Sequence, residues 1–192
     1  GDTNTITLGQ GNYTVAGGAG NDTIAALNAT LVSIIGGDGN DQITIGSGTS
    51  TIVGGSGDDQ ITILGRGSGT ASLAGGHNQF SAVNGTANSS YQITAGDGGT
   101  DTITLGSGKG TIDLSVGNQA ALSAVIDISA SNDLRSAYVM TGGITNNIKL
   151  GQGSYTVVGG TGNDTIAALG NGTVNISGGG GADPVSYTHL RA

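Results

Sequence analysis

The sequence predicts an all-β fold: a right-handed parallel β-roll, or β-solenoid, of short strands with a turn of about 18 residues. Two kinds of nine-residue segment alternate along the chain, one of the form GGxGxD and one beginning LGxG. The stretches that follow the turns, such as TITL, QITI and TIAA, alternate polar and aliphatic residues, which is typical of strands with one buried face. Successive turns of such a chain are expected to stack about 4.8 Å apart.

The GGxGxD segments set the register of the repeat. Copies that keep the sixth-position Asp start at Gly17, Gly36, Gly54, Gly96 (GDGGTD) and Gly159, and a truncated copy starts at Gly178. The sixth position is occupied by Asn4, Asp22, Asp41 and Asp59 in the first four turns, at a regular spacing of about 18 residues. The segment GGHNQF does not fit, and in this register its sixth residue is Phe80.

A longer duplication lies over the short repeat. Residues 1–41 match residues 143–183 at 27 of 41 positions, an offset of about 142 residues, which we expect to equal about eight turns. The sequence therefore predicts one continuous roll over 1–183, regular over 1–110 and 141–183 and degenerate over 111–140. The segment 184–192 departs from the pattern and is expected to be a non-native tail outside the fold.

The composition restricts the function. All 13 acidic residues are Asp, a residue of turns and metal loops, and the net charge is −8. That charge favours cations as partners and disfavours nucleic acid and anionic membranes. The chain has no Cys and no apolar run long enough for a membrane span. Because His77 has no Ser or Cys partner constellation, we predict that the protein is not an enzyme.

The GGxGxD pattern followed by x-apolar-x resembles the nonapeptide of the RTX, or haemolysin-type, calcium-binding repeat family. The resemblance covers most of residues 1–110 and 141–183. It implies Ca²⁺ as the cofactor, bound between consecutive loops by sixth-position carboxylates and by carbonyls of the glycine region. Stacked bare carboxylates about 5 Å apart would repel by about 3 kcal/mol at an effective dielectric constant near 20, so a cation between them is expected.

Carried over to this chain, the resemblance implies ions between Asp22 and Asp41, between Asp41 and Asp59, and between Asp164 and Asp183. Asp101 has a carboxylate but faces the irregular Phe80 loop, and Asn4 and Asn146 offer only a neutral oxygen. The glycine-region ligands implied are Gly18, Gly20, Gly37, Gly39, Gly55 and Gly57. Asp133 stands in no GGxGxD frame and is expected to take no part.

Metal is expected on one edge of the roll only, because the LGxGxx turns contain no carboxylate. The leading functional hypothesis is a module that gives calcium-dependent folding and rigidity to a secreted or cell-surface adhesin of bacteria. Two alternatives stay open. The chain could be the type I secretion and folding module of an RTX toxin or hydrolase, or a calcium-independent solenoid of the autotransporter type.

Overall fold

The chain winds alternately through two parallel β-sheets. The computed structural model describes residues 2–86, 88–96, 98–114, 123–128, 135–142 and 145–188. Within these ranges, strands that are odd in chain order form a ten-stranded sheet and even strands form a nine-stranded sheet. Neighbouring strands in both sheets pair in parallel, which confirms the predicted all-β solenoid. Among the described residues, we find no helical segment with the length and hydropathy of a membrane span.

The strand bounds show how short each element is. The odd sheet contains β1 (Thr5–Thr7), β3 (Thr23–Ala26), β5 (Gln42–Ile45), β7 (Gln60–Ile63), β9 (Gln79–Ala82), β11 (Thr100–Leu105), β13 (Ser123–Ile128), β15 (Thr145–Leu150), β17 (Thr165–Ala168) and β19 (Val185–Tyr187). The even sheet contains β2 (Gly11–Ala19), β4 (Ala29–Asp38), β6 (Gly48–Ser56), β8 (Gly67–Ser72), β10 (Ser90–Thr94), β12 (Lys109–Leu114), β14 (Arg135–Thr141), β16 (Gly153–Gly160) and β18 (Val174–Gly179). One odd strand and the even strand after it are called a coil below.

The core is a set of aliphatic columns between the two sheets. Because side chains alternate along a strand, each odd strand directs one residue in two inward, and parallel register stacks these residues coil upon coil. One column contains Ile24, Ile43, Ile61, Phe80, Ile103, Ile126, Ile148 and Ile166, each at most 1 % exposed. Phe80 is therefore a core residue, and its ring meets that of Tyr91 edge to face at 6.1 Å.

The coils are not all of one length. The step from Asn4 to Asp22 is 18 residues, and the step from Asp22 to Asp41 is 19 residues. Three later steps, from β9 to β11, from β11 to β13 and from β13 to β15, are longer, and the first of them measures 23 residues between Asn78 and Asp101. The 142-residue offset between the two copies of the long duplication consequently covers seven coils rather than the expected eight, because the extra residues are accommodated in connections and not in an additional coil.

Both sheets continue through the stretch predicted to be degenerate. Strands β12, β13 and β14 pair in register with their neighbours, and residues 115–122 and 129–134 of their connections lie outside the described part of the chain. The tail also differs from expectation, since β19 pairs with β17 as the last strand of the odd sheet. The Ile166 N–H donates to the carbonyl of Pro184, and the Thr188 N–H donates to the carbonyl of Ala168. Such backbone pairing at the edge of a sheet does not depend on the repeat motif.

Candidate functional site

The sixth-position side chains stack in consecutive coils, as the sequence predicts. The backbone N–H of Asp22 donates to Oδ1 of Asp41 at 2.7 Å, and that of Asp41 donates to Oδ1 of Asp59 at 2.9 Å. Each carboxylate thus accepts from the equivalent residue one coil earlier, and Asn4 begins the row by donating to Asp22 at 2.7 Å. We call this row the sixth-position ladder.

The ladder continues through the loop that looked defective in the sequence. Gln79 pairs with Gln60, so Asn78 and not Phe80 occupies the position that follows Asp59. Oδ1 of Asn78 accepts the Asp59 N–H at 2.9 Å, and the Asn78 N–H donates to Oδ1 of Asp101 at 3.1 Å. The predicted register was wrong by two positions here, because the glycine pair that starts this copy in the sequence is not in the first two positions of the loop.

A second stretch of the same ladder lies near the C-terminal end. The Asn146 N–H donates to Oδ1 of Asp164 at 2.9 Å, and the Asp164 N–H donates to Oδ1 of Asp183 at 3.0 Å. Between the two stretches the equivalent residue is Ala124, which has no side-chain acceptor. The break follows the longer connection from β12 to β13, and Oδ1 of Asn146 is buried there without a hydrogen-bond partner.

The second oxygen of each carboxylate has a different environment. Asp22, Asp41, Asp59, Asp101 and Asp164 are at most 2 % exposed, and the Oδ2 atom of each is buried without a hydrogen-bond partner. A buried carboxylate oxygen in this state costs free energy unless a proton or a cation approaches it. Oδ2 is therefore the atom of the ladder at which a ligand could act.

Glycine carbonyls lie beside these unpartnered oxygens. A Cβ on Gly17 would collide with both Oδ2 of Asp22 and the carbonyl oxygen of Gly36, which lies one coil further on. The same arrangement recurs at Gly36, between Asp41 and Gly54, and at Gly159, between Asp164 and Gly178. Each of these three first-position glycines thus leaves a small space in which two acceptor oxygens converge.

The six glycines predicted as ligands lie in the same turns, in backbone conformations that favour glycine. Their φ angles run from 109° to 123° at Gly18, Gly20, Gly37, Gly39, Gly55 and Gly57. A Cβ on Gly37 would also collide with the carbonyl of Gly18 in the previous coil. The turns therefore stack with backbone against backbone.

Burial shifts the acidity of the ladder. It raises the pKa of Asp59 and of Asp101 from 3.8 to about 6, and hydrogen bonds from the preceding coil offset part of that effect. Burial likewise raises the pKa of Asp41 and Asp164, with the charges of Asp22 and Asp183 adding to the increase. The direction is the same at all four groups because the charged form loses hydration that nothing in the chain fully replaces.

A second ladder, at the fifth position, was not anticipated from the sequence. Oδ1 of Asn21 accepts the Asn40 N–H at 2.8 Å, Oδ1 of Asn40 accepts the Asp58 N–H at 2.9 Å, and Asp58 accepts the His77 N–H at 2.8 Å. These side chains accept from the following coil, whereas sixth-position side chains accept from the preceding one. The recurring Asn-Asp and Asp-Asp doublets were the available signal.

The donor set fits a hard cation such as Ca²⁺ in part. The edge offers carboxylate and backbone carbonyl oxygens, the ligands that Ca²⁺ prefers. No group of three acidic or imidazole side chains converges within the described residues, so carbonyls would have to supply much of any coordination shell. The described turns of the opposite edge contain no carboxylate, and Asp133 lies outside the described residues.

Comparisons with protein-family models, with curated proteins and with solved structures find no match to this chain. The resemblance to the RTX family therefore depends on the nonapeptide pattern alone.

Proposed function

We propose that this chain is a calcium-binding repeat module that gives a secreted or cell-surface, adhesin-like protein calcium-dependent folding and rigidity. The β-solenoid repeat fold is consistent with such a module. The observation that carries the proposal is the row of buried Oδ2 atoms without hydrogen-bond partners, of which those of Asp22, Asp41 and Asp164 lie close to a glycine carbonyl of the next loop.

In this proposal the ladder holds ions between consecutive coils. Asp22 with Asp41, Asp41 with Asp59, and Asp164 with Asp183 contribute Oδ2 atoms, and glycine carbonyls of the same turns contribute the remaining protein oxygens. Bound Ca²⁺ supplies the positive charge that offsets burial and mutual repulsion of the carboxylates. The Oδ1 atoms remain hydrogen-bonded to the preceding coil and keep the carboxylates in register.

The extended repeat supports a mechanical role, and we assign the chain no catalytic one. The duplication of residues 1–41 at 143–183 is the kind of block repetition found in long stalks. The absence of Cys suits an extracellular protein that does not depend on oxidative folding. A toxin or hydrolase whose secretion module this chain forms is the alternative parent, and the complete open reading frame distinguishes the two.

One observation favours a second candidate, a calcium-independent solenoid. The Oδ1 ladder satisfies the backbone N–H groups of the turns with side chains alone, at 2.7–3.1 Å. A chain in which Asp serves only this ladder would need protonated or partly hydrated carboxylates instead of metal.

Calcium titration separates the two candidates. Far-UV circular dichroism should show a largely disordered chain in excess chelator and a β-rich chain in millimolar Ca²⁺, with a midpoint of about 10⁻⁴–10⁻³ M as in extracellular modules. Isothermal calorimetry on the same protein counts the ions. A β spectrum that is the same with and without chelator, together with no heat of binding, would favour the calcium-independent solenoid.

A further inference from the structure

Three coils of the described ladder have Asn instead of Asp at the sixth position, and the amide changes the local hydrogen bonding. Nδ2 of Asn4 donates to the carbonyl of Gly17 at 3.1 Å, and Nδ2 of Asn146 donates to the carbonyl of Gly159 at 3.1 Å. Both acceptors are first-position glycines of the following GGxGxD loop. In these coils the carbonyl has a hydrogen-bond donor opposite it.

The Asp coils place an oxygen where the Asn coils place this donor. Oδ2 of Asp22 lies beside the carbonyl of Gly36, and Oδ2 of Asp41 lies beside that of Gly54, with no hydrogen bond to either Oδ2. Two acceptors then face each other in a buried place, which is unfavourable without a proton or a cation between them.

The third Asn coil differs in the carbonyl that accepts from the amide, whereas donation to the next carboxylate is shared with Asn146, whose Nδ2 donates to Oδ1 of Asp164 at 2.7 Å. Nδ2 of Asn78 donates to Oδ1 of Asp101 at 3.0 Å and reaches the carbonyl of Gly75 at 3.4 Å, while its Oδ1 accepts the Asp59 N–H. Asn78 is fully buried, so both ends of its amide are used within the protein. The donor end of the amide is therefore satisfied by the protein itself in each of the three coils.

We propose that the sixth-position residue decides, coil by coil, whether a coil requires a cation: an Asp coil does, and an Asn coil does not. The identity of that cation as Ca²⁺ depends on the proposed function, whereas the difference between the coils depends on hydrogen bonding alone. Asn4 and Asn78 then lie on either side of one calcium-requiring segment, Asp22 to Asp59. The coils of these two Asn residues keep their hydrogen bonds when calcium is withdrawn.

Conversion of that segment to amides is the direct test. The variant Asp22→Asn/Asp41→Asn/Asp59→Asn keeps the Oδ1 acceptors and supplies three donors, whereas the control Asp22→Ala/Asp41→Ala/Asp59→Ala removes the same charges together with the Oδ1 acceptors and supplies no donor. At pH 8 in excess chelator, where the wild type should be largely disordered, the Asn variant should retain part of the β spectrum and the Ala variant should not. It should also bind fewer Ca²⁺ ions than the wild type.

The reverse substitution tests the same inference at another coil. Asn146→Asp replaces the donor to Gly159 with an acceptor, so it should raise the calcium midpoint of folding and make the urea midpoint rise more steeply with added Ca²⁺. If the triple Asn variant is no more stable in chelator than the triple Ala variant, charge removal explains the effect and the inference fails. If the fold of the wild type does not change with calcium while the Asn variant is still more stable than the Ala variant, the proposed function is refuted and this inference is supported.

Discussion

The two oxygens of a sixth-position carboxylate have separate roles. Oδ1 of Asp41 accepts the Asp22 N–H and holds the stacking register, while Oδ2 is buried beside Gly36 without a partner. A substitution by Ala at this position therefore removes a structural acceptor and a candidate ligand together. The neighbours of each Asp decide how many proposed ion sites depend on it.

Asp41 should matter more for calcium than Asp59. Asp41 lies between two Asp coils, whereas Asp59 lies between Asp41 and Asn78, so Asp41→Ala should abolish two ion sites and Asp59→Ala one. Each variant also loses an acceptor worth about 1.5–3 kcal/mol. Calorimetric stoichiometry and the calcium midpoint of folding compare them.

The control for that comparison is Asp38→Ala. Asp38 is exposed in the loop of Asp41 and accepts a hydrogen bond from the Ser56 hydroxyl, so this variant removes the same charge without touching the ladder. A shift of the calcium midpoint by Asp38→Ala as large as that by Asp41→Ala would contradict the proposed sites.

At the scale of the coil, glycine sets how closely turns approach. Gly18 and Gly37 occupy equivalent places in β2 and β4, with φ angles of 109° and 123°. A Cβ on Gly37 would collide with the Gly18 carbonyl, whereas a Cβ on Gly18 would meet nothing within 4 Å. The pair thus separates the cost of the backbone conformation from the cost of the collision.

Gly37→Ala should destabilise the protein more than Gly18→Ala. Both variants bear the cost of a positive φ, about 1–2 kcal/mol, and Gly37→Ala adds an overpacking cost of about 1–3 kcal/mol. Urea unfolding in saturating Ca²⁺ measures both. Equal losses for the two variants would mean that the coils separate easily at this point.

At the scale of the whole molecule, the ladder accumulates buried acidic groups on one edge of a chain with a net charge of −8. Asp59 and Asp101 have pKa values of about 6 in the folded state, against 3.8 when unperturbed. Protonation is thus more favourable in the folded than in the unfolded protein. The stabilisation that protons provide is fully present below pH 3.8 and is lost as the pH rises through about 6.

In calcium-depleted buffer, the free energy of unfolding should therefore fall between pH 4 and pH 6 and level off above that. Each pKa unit corresponds to about 1.4 kcal/mol, so each of the two groups should contribute a loss of at most about 3 kcal/mol. The β signal in far-UV circular dichroism at pH 4, 5, 6 and 7 measures the trend without calcium, and saturating Ca²⁺ should weaken it. A β signal that increases with pH without calcium would contradict burial as the dominant influence on these carboxyls.

Much of this molecule follows from its sequence alone. Period-two alternation in TIAA and QITI indicates strands with one buried face, and the spacing of Asp22, Asp41 and Asp59 predicts the stack that the structure contains. These features depend on short segments that repeat, so the same local geometry recurs in each coil. The calcium assignment, by contrast, is still a proposal.

Only the tertiary structure decided which residues face one another across coils. Asn78 enters the ladder in place of Phe80 because strand pairing, and not the position of the nearest glycine pair, sets the register. Likewise, the offset between the two copies of the long duplication spans seven coils because connections such as the one between β9 and β10 contain additional residues without adding a strand. Groups in the neighbouring coils determine that Oδ1 is hydrogen-bonded and that Oδ2 has no partner. The sequence of a single turn does not contain those groups, so it could not predict this difference.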